Sequence, residues 1–357
     1  MRTDEMGGAE FHETPERYEL SLEERGLLSR RINELSLSIA GTRLEALIRQ
    51  IHDELRRAGI SYQPRCYLAD VWGCPQDVPV IGIPFYLADP TLSHIEGELT
   101  GIEAENDSEI LMYLRHEAGH AFNYAYRLHT EPGWREVFGP YSRPYIEDYK
   151  PDPFSDAFVR HIPGWYAQKH PDEDFAETFA VWLTPGSNWK EQYAATPALE
   201  KLLFVDDAVR RFGQLEPLVT DQTLDAPVEE LQGTLAEWYG THEDTTGDGL
   251  ALPRVLNIDL RTIFPSAEGV PAIHFLRRHR SRLIRTVNYW TGLDLELLSS
   301  LVNELLERVR LLDLRMLPRD RDAALIGMSI LITTLAMNYR YTDQFVRRSS
   351  PAPTPKE

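Results

Sequence analysis

Cysteine and long hydrophobic runs are scarce in this chain. Its 357 residues include 2 cysteines, which excludes a disulfide-stapled fold. Cys66 and Cys74 do not have the spacing of a usual metal clip, so we expect two reduced thiols. Residues 1–20 lack the apolar core of a secretory signal, and the apolar run at residues 326–337 has the length of a buried helix. These absences predict a cytoplasmic protein with no membrane partner.

Positive charge is also in deficit. The chain carries 37 Lys+Arg against 56 Asp+Glu, a net charge of −19. Residues 271–357 reverse the balance, with 14 Lys+Arg against 9 Asp+Glu, and the basic stretch at 277–285 has the spacing of the solvent-facing side of a helix. An acidic body repels nucleic acid, so we expect none as a partner, and it favours basic or neutral peptides as substrates.

The most informative motif present is His-Glu-Ala-Gly-His, inside a predicted helix over residues 109–128. On a helix, His116 and His120 share one face, so their imidazoles can reach a single metal ion with Glu117 beside them. Chance gives this motif in about three of a hundred chains of this composition, so its surroundings must support it. The flanking residues are apolar at helical spacing, and a polar motif in a buried helix needs the compensation that a metal supplies.

A second, acidic helix is predicted over residues 171–183, because a proline suits the first helical position. Glu173 and Glu177 are four residues apart and share a face. In glutamate-type zinc peptidases, the first acid of such a pair binds the metal and the second accepts a hydrogen bond from a ligand histidine. Glu173 is therefore the predicted third ligand, and Glu177 is the predicted partner of a histidine. Asp172 and Asp174 are predicted to face solvent at the helix N-terminus.

Other third ligands fit the sequence less well. The metzincin pattern requires a glycine and a histidine where this chain has Asn123 and Tyr126. A thermolysin-like spacing would place a glutamate near position 140, which is a proline, and the nearby Glu136 and Glu147 begin no apolar-striped helix. Three more candidates stand in turn-rich stretches and are expected at the surface: His129, His161 and His170.

Residues 37–204 resemble a bacterial family of zinc-binding metallopeptidases. The segments that carry the resemblance are LRHEAGHA at 114–121, WYAQ at 165–168, HPDEDFAETFAVWL at 170–183 and IPFYLA at 83–88. More remotely, the histidine motif together with Glu173-Asp-Phe-Ala-Glu177 is similar to the catalytic domain of anthrax lethal factor and to the Mlc titration factor peptidase. The resemblance implies a gluzincin, and it implies that Tyr166 stands where a tyrosine stabilises the oxyanion.

These residues predict a hydrolytic reaction with Zn²⁺ as the cofactor. Zinc held by His116, His120 and Glu173 keeps a position open for water and lowers the pKa of that water. Glu117 would take the proton of the water during attack on a peptide carbonyl, and would pass it to the leaving amine. Tyr166, by the resemblance, would donate a hydrogen bond to the developing oxyanion.

The predicted fold class is α+β, a zincin-like catalytic domain in which a small sheet lies over the metal helix, followed by a mainly helical module. Residues 66–71 and 80–88 are rich in β-branched and aromatic side chains and are predicted as strands. Pro84 predicts that the second strand is an edge strand, along which a peptide substrate could pair. Residues 131–165, long and rich in proline and tyrosine, are predicted as a flap over the site.

Five segments are predicted along the chain. They are a flexible N-terminus at 1–18, the zincin-like domain at 19–215, an acidic connector at 216–252, a helical accessory domain at 253–345 and a disordered tail at 346–357. Further helices are predicted near 20–36, 42–58, 197–213, 227–239, 270–290, 293–312 and 319–341, with a short strand at 255–260. Asn106 or Asp107 is the predicted N-cap of the metal helix, with Glu109 completing a capping box. The run at 244–249 lacks the ligand series of a calcium loop and predicts a turn.

Two classes of function fit the sequence. The first is a zinc peptidase with a restricted protein or peptide substrate, gated by the flap and the helical module. The second is a zinc-stabilised binding protein without hydrolytic activity, whose helical module recruits a protein partner; a zinc hydrolase of non-peptide amides is a third, lesser option. Glu117 and the count of three ligands favour the peptidase, because structural zinc is usually closed by four protein ligands.

Overall fold

The computed structural model describes residues 20–100, 104–146, 149–244 and 252–346. The predictions for residues 1–18, for the run after residue 244, for Glu147 and for the tail beyond residue 346 lie outside these ranges. The described chain is mainly helical with two small two-stranded sheets, which confirms the α+β prediction. The finer, zincin-like arrangement stays a prediction.

The elements up to residue 244 are α1 (Leu22–Leu28), α2 (Arg43–Arg57), β1 (Arg65–Ala69), β2 (Val80–Pro84), α3 (Pro90–Thr100), α4 (Asp107–Tyr126), α5 (Trp134–Val137), α6 (Pro171–Leu183), α7 (Trp189–Gln192), α8 (Ala198–Phe212) and α9 (Leu235–Asp244). The elements from residue 252 are α10 (Leu256–Ile263), β3 (Val270–Pro271), α11 (Ala272–Arg278), α12 (Arg280–Thr291), α13 (Leu295–Leu311), β4 (Arg315–Met316) and α14 (Arg321–Thr342).

Local signals explain where the two central helices begin. The Asn106 side chain accepts the backbone N–H groups of Ser108 and Glu109, and the Glu109 carboxylate returns to the Asn106 N–H, so α4 starts with the predicted capping box. Helix α6 begins at Pro171, as predicted, and the His170 ring accepts a backbone N–H of its first turn. These two helices carry the histidine motif and the acidic pair.

Helices α4 and α6 touch at a glycine. A Cβ on Gly119 would lie 2.8 Å from the Cα of Ala176 and 3.1 Å from the Cβ of Phe179. The glycine of the His-Glu-Ala-Gly-His motif thus lets the two backbones approach closely. This contact sets the distance between the histidines on one helix and the acids on the other.

Strand β2 belongs to a two-stranded sheet, so it is an edge strand as predicted, although it covers Val80–Pro84 and not the whole of residues 80–88. It pairs in parallel with β1, and on its other side Gly82 exchanges backbone hydrogen bonds with Gly73. Within the described residues this contact is a single isolated bridge, and residues 72–76 form no strand. Strand β2 ends at Pro84, whose nitrogen carries no hydrogen and cannot donate to the ladder, and residues 85–88 form a 3₁₀ turn.

Several other predicted elements differ from the structure. The strand predicted at 255–260 is wrong: the segment enters helix α10, because Leu256 and Leu260 are buried one helical turn apart while Ile258 between them is exposed. The helix predicted near 20–36 ends at Leu28, and the one near 270–290 is divided at His279 into α11 and α12. The helix predicted near 227–239 begins only at Leu235, and α3 was not predicted.

Two hydrophobic clusters organise the chain, one from Leu20 to Tyr239 and one from Leu252 to Phe345. The first includes Val228, Leu235 and Tyr239, so this part of the predicted acidic connector is packed against the first core. The exact domain boundaries stay a prediction. The residues of the second cluster, 252–346, are called the helical unit below.

The predicted flap is anchored at several points. Trp134, Val159 and Trp165 are buried, whereas Tyr145 and Phe154 are exposed. Large buried aromatic side chains hold a connection in place against the core. The described residues of the 131–165 stretch are therefore a packed connection with exposed side chains at Tyr145 and Phe154, and a gating role stays a prediction.

Helix α14 is unusual for its length and apolar composition. Together with the turn before it, the helix over Pro318–Thr342 is long and apolar enough to cross a membrane by those two criteria alone. Ile326 and Ile330 on it are 60% and 61% exposed. The expectation that no apolar run approaches the length of a membrane span is therefore wrong for this helix, although core helices of soluble proteins meet the same criteria. The absence of a membrane partner stays a prediction.

Candidate metal centre

Helices α4 and α6 bring two imidazoles and a carboxylate to one point. Nε2 of His116 lies 3.0 Å from Oε2 of Glu173, and Nε2 of His120 lies 3.2 Å from the same oxygen. The two Nε2 atoms are 3.2 Å apart. All three side chains are buried, and within the described residues they form the group that could hold a metal ion. Two imidazoles and one carboxylate are a donor set that suits zinc.

Glu117 lies beside this group and supports the same interpretation. Its side chain is 5% exposed, and among the described residues its Oε2 has no hydrogen-bond partner. Burial raises the pKa of the Glu117 carboxyl, although His116 and His120 oppose the shift. A buried carboxylate oxygen without a partner is costly unless it serves a ligand or a reacting group. Glu117 therefore lies beside the donor group with one oxygen available to a ligand, and its role as a general base stays a prediction.

Glu177 contacts the ring nitrogen of His116 that does not face Glu173. Its Oε1 lies 2.9 Å from Nδ1 of His116, and its Oε2 accepts the backbone N–H groups of His161 and Ile162 at 3.1 and 2.9 Å. A carboxylate at Nδ1 keeps the proton there and leaves the Nε2 lone pair for a metal. The predicted position of Glu177 and the observed one agree.

Asp172 makes the matching contact to His120, so the prediction that it faces solvent is wrong. Its Oδ2 lies 3.1 Å from Nδ1 of His120 and accepts the Tyr124 hydroxyl at 2.6 Å, while Oδ1 accepts the Asn123 amide at 2.8 Å. The first turn of α6 faces α4, which buries this acid. The sequence held one clue: two ligand histidines each need a partner for Nδ1, and only Glu177 had been assigned.

Asp174 is also buried, which corrects the second solvent-facing prediction. Its Oδ2 lies 2.7 Å from Nζ of Lys201 on α8, and the same ammonium donates to the Ala157 carbonyl at 2.6 Å. Burial raises the pKa of Asp174 to about 7 despite the opposing charge of Lys201. This pair joins α6 to α8 and makes no contact with the donor group.

The alternative ligands predicted from sequence lie elsewhere. His170 is buried, against the expectation of a surface position, because its Nδ1 caps α6 and its Nε2 lies 2.8 Å from the Arg143 carbonyl. His161 contacts the Met112 carbonyl through Nε2 at 2.9 Å. His129 stacks on a tyrosine ring, and Glu136 is exposed on α5. Glu147 lies outside the described residues.

Tyr166 stands at the wall of a cavity that opens above the donor group. Its ring centroid is 5.7 Å from that of His116, and the cavity has a volume of about 750 Å³. Further lining comes from the segment after β1 and from the stretch after α5, through Trp72, Gly73, Cys74, Gln76, Tyr141 and Arg143. His116, Glu117, His120 and Glu173 all line the same cavity. The candidate metal centre is therefore part of the wall of this cavity.

Residues 103–206 match the model of a protein family described as "Putative zinc-binding metallo-peptidase". The matched range contains α4, α6 and every residue of the donor group. No curated protein and no solved structure matches the chain. The family match confirms the resemblance to zinc-binding metallopeptidases and the prediction of zinc as the cofactor. The more remote similarities, to anthrax lethal factor and to the Mlc titration factor peptidase, are not confirmed.

Proposed function

We propose that this protein is a zinc peptidase that hydrolyses peptide bonds in a restricted protein or peptide substrate. The supporting observation is the convergence of three buried donors beside the unpartnered oxygen of Glu117, at the wall of an open cavity. A structural zinc site is usually closed by four protein ligands and needs no such carboxylate. The arrangement thus favours catalysis over a purely structural metal.

Each side chain has a distinct task in this proposal. When bound, zinc acts as a Lewis acid that acidifies water and polarises a carbonyl oxygen. His116 and His120 would hold it through Nε2, because their Nδ1 atoms face Glu177 and Asp172. Glu117 receives the proton of the attacking water and delivers it to the leaving nitrogen, a task that suits a carboxyl whose pKa is raised by burial.

The cavity walls suggest how a peptide would lie. Trp72, Gly73, Cys74 and Gln76 line the cavity, and Gly73 is bridged to β2, so an extended substrate could pair with the backbone of this segment. Tyr166 lines the same cavity, and its hydroxyl would donate a hydrogen bond to the oxygen on which charge develops. A backbone segment and a hydroxyl donor at one cavity support an extended peptide as substrate.

Metal analysis of purified variants tests the ligand set. We expect about one zinc per chain in the wild type and much less in Glu173→Ala, because one of three donors is removed. Glu136→Ala, which changes an exposed glutamate on α5, is the matched control and should keep its zinc. Full zinc content in Glu173→Ala would show that the third ligand is assigned to the wrong residue.

Cleavage of a mixed peptide library, read by mass spectrometry, tests the reaction. Glu117→Gln keeps the size of the side chain but removes the base, so it should retain zinc and lose activity by about a hundredfold or more. Zinc-loaded wild type without any cleavage would favour the binding-protein alternative. A fully active Glu117→Gln would contradict the proposed role of Glu117.

A further inference from the structure

The helical unit makes several contacts with the segment that precedes Tyr166. Arg340 on α14 donates through Nη2 to the Tyr149 carbonyl at 3.0 Å, and its guanidinium lies 4.9 Å from the centre of the Tyr149 ring. The neighbouring Tyr341 hydroxyl donates to the Pro151 carbonyl at 3.1 Å. Two consecutive residues at the end of α14 thus hold the beginning of the stretch from 149 to 165, called the strap below.

The end of the strap meets the helical unit backbone to backbone. Gly164 and Gly292 both have left-handed backbones, with φ of +87° and +59°. A Cβ on Gly292 would lie 2.5 Å from the Cα of Gly164, so only glycine fits at this contact. Arg340 donates through Nη1 to the Gly292 carbonyl, and the Tyr149 hydroxyl donates to the Gly164 carbonyl at 3.1 Å. Arg340, Tyr149, Gly164 and Gly292 therefore form a closed ring of contacts.

A third contact lies between these two. The guanidinium of Arg160 stands 4.9 Å from the ring centre of Trp165, and 5.3 and 5.5 Å from those of Tyr289 and Trp290 on α12. A cation held among aromatic faces is attracted by each of them. The strap is thereby fixed to the C-terminal ends of α12 and α14.

The strap ends at the candidate metal centre. Trp165 has a left-handed backbone, with φ of +57°, and directly precedes Tyr166. Upstream, the Glu177 carboxylate that contacts His116 also binds the backbone N–H groups of His161 and Ile162. The direction in which Tyr166 leaves the strap is therefore set on one side by the metal centre and on the other by the helical unit.

We propose that the helical unit positions Tyr166 against the metal centre and that Arg340 is the positioning residue. The task of Tyr166 in this inference rests on the proposed peptidase function, but its placement does not. Arg340 reaches both the start of the strap and Gly292 with one planar group, which a shorter or single-headed side chain cannot do. Without Arg340, the strap and the adjacent Tyr166 would lose the contact that holds them to the helical unit.

Hydrogen exchange of the full-length, zinc-loaded protein tests the placement without reference to activity. In Arg340→Ala, we expect amide exchange in residues 157–168 to rise about tenfold, with zinc content unchanged, and Arg340→Lys should recover part of the protection. Helix α2 is the internal reference. Unchanged exchange in 157–168 would overturn the proposal, and so would an equal rise in α2, because Arg340 would then stabilise the whole chain.

A glycine substitution provides a matched pair. Gly292→Ala places a methyl group against Gly164, whereas Gly41→Ala has a similar positive φ of +77° and open space around it. Both variants carry the strain of a left-handed alanine, but only the first disturbs the contact with the strap. Faster exchange in 157–168 in Gly292→Ala alone is the expected result; the same pattern in both variants would contradict the proposal.

A double-mutant cycle with Tyr166→Phe tests the link to catalysis. We expect Arg340→Ala to lower kcat about tenfold with little change in KM, and to have less than about a twofold effect once the Tyr166 hydroxyl is gone. Equal losses in both backgrounds would show that Arg340 does not act through Tyr166. A wild type that cleaves no peptide would contradict the proposed function, and the exchange data would then decide the placement alone.

Discussion

Asp172 and His120 are in direct contact, with Oδ2 of the acid 3.1 Å from Nδ1 of the imidazole. Glu177 makes the same contact to His116, so each candidate ligand histidine is held by its own carboxylate from α6. Helix α6 thus supplies one candidate metal ligand, Glu173, and both carboxylates that orient the two ligand histidines of α4. Contacts of this kind fix the tautomer and the ring direction of metal-binding histidines.

Replacing Asp172 should weaken metal binding. In Asp172→Ala, His120 loses the group that keeps its proton on Nδ1, so we expect zinc affinity to fall by about ten- to a hundredfold. Asp322→Ala, at an exposed acid in the first turn of α14, is the matched control. Competition with a fluorescent zinc chelator measures the affinity, and an unchanged value for Asp172→Ala would refute an orienting role.

Gly119→Ala should push α4 and α6 apart. The new methyl group would stand 2.8 Å from the Cα of Ala176, and overpacking of this kind costs about 1–3 kcal/mol in the free energy of unfolding. Gly26→Ala is the control, because Gly26 is also helical but has open space, and alanine there should be neutral or stabilising. Urea unfolding of both variants gives the comparison; equal effects would mean that the helix contact tolerates a side chain.

Lys201→Ala should destabilise the protein strongly. It would leave the buried Asp174 without its ammonium partner at 2.7 Å, and breaking a buried pair costs about 3–5 kcal/mol. Arg310→Ala breaks an exposed pair with Glu307 and should change the stability far less, because solvent screens that pair. Denaturant midpoints distinguish the two, and a small loss in Lys201→Ala would show that Asp174 tolerates isolation.

Glu96 should make stability depend on pH. Burial raises the pKa of its carboxyl to about 7, reinforced by the Glu105 and Glu296 carboxylates and opposed by the Tyr239 hydroxyl. Between about pH 4.5 and pH 7, the folded chain keeps a proton that the unfolded chain has lost, so this contribution to the unfolding free energy falls as pH rises, by up to about 3 kcal/mol.

The variant Glu96→Gln isolates this contribution from the other titrating groups. Its stability gain over the wild type should be larger near pH 8 than near pH 5, because glutamine carries no charge to bury. Urea unfolding at both pH values measures the difference between the two proteins. A gain that is the same at both values would show that Glu96 titrates normally in the folded chain.

The two central helices could be predicted because their signals are local. The histidine motif, the capping residue Asn106 and the proline at 171 all lie within a few positions of the helices that they define. Structure and prediction agree on the bounds of α6, and differ by two residues at each end of α4. The sequence also predicted that Glu173 and Glu177 lie on the same face of α6, since positions four apart share a helix face.

The surroundings of the donors could not be predicted in the same way. Asp172 and Asp174 have the local pattern of solvent-facing acids, and only tertiary contacts with His120 and Lys201 reveal their burial. The bridge between Gly73 and Gly82 could not be predicted, because Gly73 lies in a stretch that has no strand pattern. The contacts between the helical unit and the strap involve residues about 190 positions apart, such as Tyr149 and Arg340, which no local pattern connects.

The contact between Gly119 and Ala176 also has a consequence for the abundance of this protein in a cell. Because the fold assembles His116, His120 and Glu173, the unfolded chain has no comparable site, and zinc binds the folded chain preferentially. Preferential binding adds to the unfolding free energy in proportion to the logarithm of free zinc above the dissociation constant. We therefore expect zinc starvation to shorten the lifetime of the chain, since the unfolded fraction is what proteases remove. Its abundance would then follow zinc availability without any dedicated sensor.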